Sequence, residues 1–286
     1  MNRIALLAGL LLLTGCAKAT GAPQPRVDGP PQRIVSMNPC IDAVLREIAA
    51  PGQIVSISAY SHDPRATSVP LEWARRYPAN NGTAEDVIAM RPDLVIAGPH
   101  VAVQTIAALG RLGIPLMQAP VPETVAENKA EIAAIGERIG RGEAAATLNR
   151  RIEVALDRSR WNGRPATALI WQGSGLVPGK GTLADELLTR TGFRNVSSEA
   201  GLKKWDILPL EGLFLNPPQV LLAGRADMGA GNGDANRMLS HPALRKAGRR
   251  LPMADYPSGL LHCCGPVILR SLDRLAAVRR EMEARP

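Results

Sequence analysis

The sequence predicts an α/β protein built as two lobes, each around a parallel sheet, with a long helical segment between them. Three observations carry this. From Arg33 onward, short apolar runs alternate with amphipathic helical patterns, as expected of parallel strands covered on both faces. Pro122 to Trp161 breaks that rhythm: it is nearly all helix formers and holds no strand-like run. The chain also repeats itself. "GTAEDVIAMRPDLVIAG" (Gly82 to Gly98) aligns on "LPLEGLFLNPPQVLLAG" (Leu208 to Gly224), which sets Glu85 on Glu211, Pro92 on Pro218 and Gly98 on Gly224.

Taken in order, residues 1–15 read as an export signal: Arg3 precedes an apolar run from Ile4 to Leu13 that is too short to span a bilayer. The run ends in Leu13-Thr14-Gly15-Cys16, a match to the lipobox in which the cysteine is acylated and becomes the new N-terminus. Ala17-Lys18-Ala19 also fits a plain cleavage site that would discard Cys16, and either reading exports the chain. The expectation is a periplasmic protein held to a membrane through Cys16. Residues 16–32, rich in Pro, Gly and Ala, form a flexible tether.

The first lobe, residues 33–138, takes strands at "RIVSM", "QIVSIS", "DLVIAG" and "PLMQA" and helices at "CIDAVLREIAA", "TAEDVIAM" and "VQTIAALGRLG". A connecting helix covers residues 139–162. The second lobe, 163–286, resumes the alternation with "ATALIWQ", "TLADELLTRTG", "LPLEGLFL", "QVLLAG", "RMLSHPALRKA" and "RLPMAD", and closes on the helix "PVILRSLDRLAAVRREMEA". About 270 mature residues suffice for two modest cores. In each repeat a Glu complements the first turn of a short helix, a Pro stops that helix, and a Gly frees the backbone at the carboxyl end of a strand. Open α/β sheets bind ligands at such ends, and two facing edges make a cleft.

Lys and Arg outnumber Asp and Glu by 34 to 26, but the excess is scattered over helix faces and lacks an aromatic-interleaved stripe. That pattern excludes nucleic acid as the expected partner and leaves a weak positive field suited to an anionic ligand or membrane surface. With Cys16 acylated, Cys40, Cys263 and Cys264 remain, an odd count that in an oxidising compartment implies one bridge and one spare thiol. Neighbouring Cα atoms lie about 3.8 Å apart, below the disulfide window, so Cys40 is expected to pair with Cys263 or Cys264. Enzyme signatures are missing: "GSG" at 173–175 lacks the nucleophile-elbow spacing, and "GAGNGD" at 229–234 breaks the dinucleotide fingerprint. No catalytic residue and no cofactor is therefore expected. An alternative gathers Cys40, Cys263, Cys264, His62, His100 and His262 into a copper or zinc site, although no metal-ligand spacing supports it. An enzyme on the same scaffold is a further, weaker alternative.

"RIVSMNP", "SAYSHDP", "TAEDVIAMRPDLVIAG", the connecting helix and "LVPGKGTLADELL" together resemble the class III periplasmic solute-binding proteins of ABC importers, which capture iron-siderophores, haem and vitamin B12. The likeness runs from about Arg33 to Leu275 and is strongest to the cobalamin-binding members. It implies two Rossmann-like lobes held by a rigid backbone helix, with a metal chelate, a cobalamin-like corrinoid or a ferric siderophore, bound in the cleft between lobes. It further implies ligand contacts from Tyr60, from Trp171 and Gln172 at the end of a strand, and from Trp205 six residues before Glu211. His62 and His100, just past first-lobe strands, would touch the chelate or supply an axial nitrogen. Two tryptophans of the cobalamin pocket fall here on Ala79 and Gly98, which implies a wider or more polar site. Glu85 and Glu211 would dock the two lobes on a dimeric membrane permease. Cys40 and Cys263, both near the expected cleft, would form the bridge, with Cys264 spare.

Overall fold

The computed structural model describes residues 29–172, 175–224 and 251–284. Its first lobe comprises β1 (Ile34–Ser36), α1 (Pro39–Ile48), β2 (Ile54–Ser58), a 3-10 turn (Ala59–His62), α2 (Leu71–Ala74), β3 (Ala79–Asn80), α3 (Ala84–Ala89), β4 (Leu94–Ala97), α4 (Val103–Arg111) and β5 (Leu116–Gln118). The strands form one parallel sheet in the order β3-β2-β1-β4-β5. Successive side chains of a strand point to opposite faces. Val35 and Val95 accordingly pack with α3 and α4, while Ile34, Leu94 and Ile96 pack on the other face.

A second, separate sheet organises the other lobe: β6 (Ala166–Ile170), β7 (Leu176–Pro178), α7 (Leu183–Arg190), β8 (Phe193–Asn195), α8 (Val196–Glu199), β9 (Trp205–Ile207), α9 (Leu210–Leu215), β10 (Val220–Ala223), β11 (Met253–Asp255) and the closing helix α10 (Val267–Glu283). Its parallel order is β11-β10-β6-β8, and β7 pairs with β9 as an antiparallel ribbon. The order β8-β6-β10-β11 reproduces β2-β1-β4-β5 of the first lobe. The repeated segments become α3-β4 and α9-β10, each strand lying beside the first strand of its own sheet. The helix expected over "RMLSHPALRKA", the export signal and Cys16 lie outside the described residues. Among the described residues no helix is long and apolar enough to cross a membrane.

The segment between the lobes is a hairpin of α5 (Val125–Arg138) and α6 (Gly142–Ser159), the second lying within residues 139–162. Gly140 adopts φ +70°, the left-handed conformation that ends helices, and Arg141 N–H donates to Gly136 O across the turn at 2.6 Å. The hairpin joins α1 and α10 in one layer. Ile41 and Leu45 of α1, Ile132 and Ile135 of α5, Leu148 and Ile152 of α6, and Leu272 and Leu275 of α10 belong to a single buried cluster. That cluster also takes Ile34 and Ile96 from the first sheet and Ile170 and Leu222 from the second.

A covalent bond reinforces the join. Cys40, at the start of α1, is bridged to Cys263, on the loop entering α10, with Cα atoms 4.9 Å apart, within the usual window. Asn38 caps α1, its side chain accepting from Cys40 N–H at 2.8 Å. Cys264 remains a free thiol.

One turn further along α1, Asp42 is fully buried. Its Oδ2 accepts from the Ser61 hydroxyl at 2.6 Å and from Ser58 N–H at 3.1 Å, fixing the 3-10 turn, and the Ser36 side chain also favours its charged form. Burial outweighs these hydrogen bonds and pushes the carboxyl up to about 7.

Two outcomes follow. Cys263→Ser lowers the free energy of unfolding in denaturant by about 2–5 kcal/mol, and the unreduced, unfolded wild-type chain exposes Cys264 plus Cys16 where that residue is retained unacylated. Two further thiols would mean that the bridge is absent. For Asp42, the folded state holds a proton that the unfolded state has released, so stability falls as pH rises from about 4 to about 7, by as much as about 4 kcal/mol. Unfolding measured across that range flattens by a corresponding amount in Asp42→Asn; parallel wild-type and variant curves would show that Asp42 is ionised throughout.

Candidate functional site

Strand ends from both sheets converge on two contiguous cavities between the lobes. The larger, about 540 Å³, has a floor of leucines that includes Leu176, Leu183, Leu187 and Leu260, and polar groups Glu123, Gln172, Lys204 and His262 along its wall. The smaller, about 190 Å³, reaches Gly98 and Pro99 beyond β4 and Ala119 beyond β5. Val121, Pro122, His262 and Cys264 line both. The repeat explains the placement: each half contributes the carboxyl edge of its sheet, where parallel sheets bind ligands. A Cβ at Gly98 would sit 2.6 Å from Asn38 Nδ2, so a larger residue there would displace the side chain that caps α1.

Gln172 and Trp205 both reach the larger cavity. Trp205 is 43 % exposed on β9, and the Gln172 Nε2 is buried without a hydrogen-bond partner among the described residues. Trp171, expected beside them as a ligand contact, is instead a core residue: it is 1 % exposed and packs with Leu169, Val177 and Leu221. The β ladder continues through it, Trp171 N–H donating to Leu222 O, so its side chain points to the Leu169 face and that of Gln172 to the other. Tyr60 stands 67 % exposed on the 3-10 turn, outside both cavities. His62, on the same turn, buries an Nε2 with no partner among the described residues, also outside them. His100 is exposed one residue past Pro99. Ala79 is exposed at the sheet edge and Gly98 lines the smaller cavity.

Glu85 and Glu211 occupy the first turns of the equivalent helices α3 and α9. Both are exposed, and neither takes part in an ion pair among the described residues. The six-residue cysteine and histidine set does not assemble. Cys40 and Cys263 are consumed by the disulfide, and no group of three or more His, Cys, Asp or Glu among the described residues could hold a metal ion.

Glu123, Glu131 and Lys204 are cavity residues with no motif to announce them, and His262 joins them from outside any metal cluster. Each comes from a different segment, so spacing carries no signal. Burial pushes the Glu131 carboxyl, on the wall of the smaller cavity, up to about 7. Burial, reinforced by Glu131, pushes the neighbouring Cys264 thiol up to about 12. Burial thus disfavours charge at both groups.

Comparison with known proteins agrees with this architecture. Residues 34–248 match the family model described as periplasmic binding protein. The periplasmic heme-binding protein RhuT from Roseiflexus sp. RS-1, in apo form, superposes with a TM-score of 0.72 at 20 % identity, over 88 % of this chain and 98 % of that one. The periplasmic heme-binding protein HutB of Vibrio cholerae gives a TM-score of 0.72 at 18 % identity, over 87 % and 98 %. The periplasmic vitamin B12-binding protein BtuF of Vibrio cholerae gives 0.67 at 17 %, over 90 % and 99 %. No curated protein sequence matches. A family model spanning most of the chain, on two separate parallel sheets with a cleft between their carboxyl edges, identifies the chain as a member of the periplasmic binding protein family.

Proposed function

We propose that this protein is exported, is anchored in the periplasm through Cys16, and captures a metal chelate in the inter-lobe cleft for delivery to an ABC importer permease. The observation that carries the reading is the pair of contiguous cavities between the strand ends of duplicated lobes, with an apolar floor and a few polar groups around it. Such a site suits a large amphipathic molecule held without being transformed. The names of structural relatives that bind heme or vitamin B12 support a haem or a corrinoid, and the sequence resemblance adds a ferric siderophore.

In this reading Trp205 stacks on the ligand, Gln172 donates its unpartnered amide, and His262 faces the chelate from the boundary of the two cavities. Tyr60, His62 and His100 on the first lobe meet those parts of a ligand that extend beyond the cavities. Glu85 and Glu211, equivalent by the repeat and free of ion pairs among the described residues, dock the two lobes on the permease dimer.

Titrating the purified mature chain with ferric haem, cobalamin and ferric siderophores raises the melting temperature for the true ligand class, equivalent to about 2.7 kcal/mol at a hundredfold excess over Kd. The accompanying fluorescence quenching comes from Trp205, and Trp205→Ala weakens binding about tenfold. Absence of any shift with all three classes would remove the reading. Charge reversal at Glu85 and Glu211 together leaves ligand affinity within about twofold, since the two sites are independent, and abolishes import in cells; undiminished import would refute the docking role.

A further inference from the structure

Lys204 lies at the mouth of the larger cavity in a backbone conformation that lysine disfavours. Its φ is +58°, in the left-handed region that costs non-glycine residues energy and persists only where neighbours over-determine it. The neighbours here are explicit. Lys204 N–H donates to Lys180 O at 3.0 Å, Gly179 N–H donates to Lys204 O at 2.6 Å, and Lys180 N–H donates to Leu202 O at 2.9 Å. These bonds hold the residue on both sides, immediately before Trp205.

The side chain lines the cavity beside Glu123. Its Nζ is ion-paired with Glu123 Oε2, on the residue preceding Thr124, the N-cap of α5. Glu123 is itself held in place, its N–H donating to Glu127 Oε2 at 2.8 Å. The two side chains are 56 % and 48 % exposed, and an ion pair that open contributes little to stability. The left-handed backbone is therefore held by the hydrogen bonds at the end of the β7-β9 ribbon and not by this ion pair. Glu123 and Lys204 are also the only Asp, Glu, Lys or Arg among the described residues lining this cavity. Next to them is the unpartnered Gln172 amide, and beneath them the leucine floor.

We infer that Lys204 selects the ligand by its charge, and that Glu123 is the internal carboxylate occupying its ammonium until a ligand carboxylate replaces it. This rests on the chelate-binding reading above and narrows it to amphipathic chelates bearing a carboxylate. The apolar body lies on the leucine floor against Trp205, and the carboxylate exchanges with Glu123 on Lys204 Nζ and accepts from Gln172. The exchange is easy because the pair it breaks is weak and the one it makes is drier.

The test compares carboxylate chelates, ferric haem and ferric citrate, with carboxylate-free ones: haem dimethyl ester, a neutral ferric hydroxamate and cobalamin. The expected tightest binder is a carboxylate chelate. Lys204→Gly, which relieves the left-handed φ while removing the charge, weakens that binder about five- to tenfold without lowering the melting temperature. Lys204→Arg stays within about twofold, and Glu123→Gln tightens binding about two- to threefold by removing the competitor. The carboxylate-free probes respond to none of these. A carboxylate-free chelate as tightest binder, or less than a twofold change in Lys204→Gly, overturns the role of Lys204 and leaves the chelate receptor standing. Failure of every probe to bind removes both.

Discussion

One hydrophobic core shared by two sheets sets the geometry of everything at the cleft. Ile34 and Ile96 on one side and Ile170 and Leu222 on the other belong to the same buried cluster, through α1, the α5-α6 hairpin and α10. A lobe that swung freely would have to expose part of that cluster, at about 25 cal/mol for each Å² of apolar surface returned to water. The Cys40–Cys263 bridge adds a covalent limit beside the cavities themselves. The gap between the strand ends is thus fixed when the chain folds, and a ligand meets a largely formed site.

That rigidity changes what the cleft has to do. Binding need not drive a large domain closure, so the interaction energy goes into recognition at the mouth and into removing the ligand's apolar face from water. Burial in the interior disfavours charge, shifting the Glu131 carboxyl and the Cys264 thiol upward. Charge is left to Glu123 and Lys204 at the rim.

Much of this architecture was legible in the sequence, and the failures have physical reasons. Apolar runs such as "LVIA" and "VLLA" announce buried central strands, and the repeat around Glu85 and Glu211 announces duplicated lobes. β3 was invisible because a polar residue does the work there: Asn80 Nδ2 donates to Ser36 O, Ser56 Oγ and Ile57 O at 2.9–3.0 Å. The β7-β9 ribbon was missed because β9 is exposed along its whole length and is stabilised by pairing with a distant segment. Trp171 was misassigned although strand alternation already set it on the face of Leu169. The cavity was less legible than the fold: Gln172 and Trp205 fall on its lining, while Glu123, Lys204 and the cleft position of His262 depend on segments brought together only by folding.

Glu131 has an effect on how the chain matures. A free thiol directly beside a bridged cysteine is the ordinary starting point for disulfide scrambling, since a thiolate at Cys264 would compete for the same partner. Exchange proceeds through the thiolate, and burial together with the Glu131 carboxylate holds the Cys264 thiol at about 12. Once folded, the oxidised chain keeps a single pairing without needing to dispose of its third cysteine.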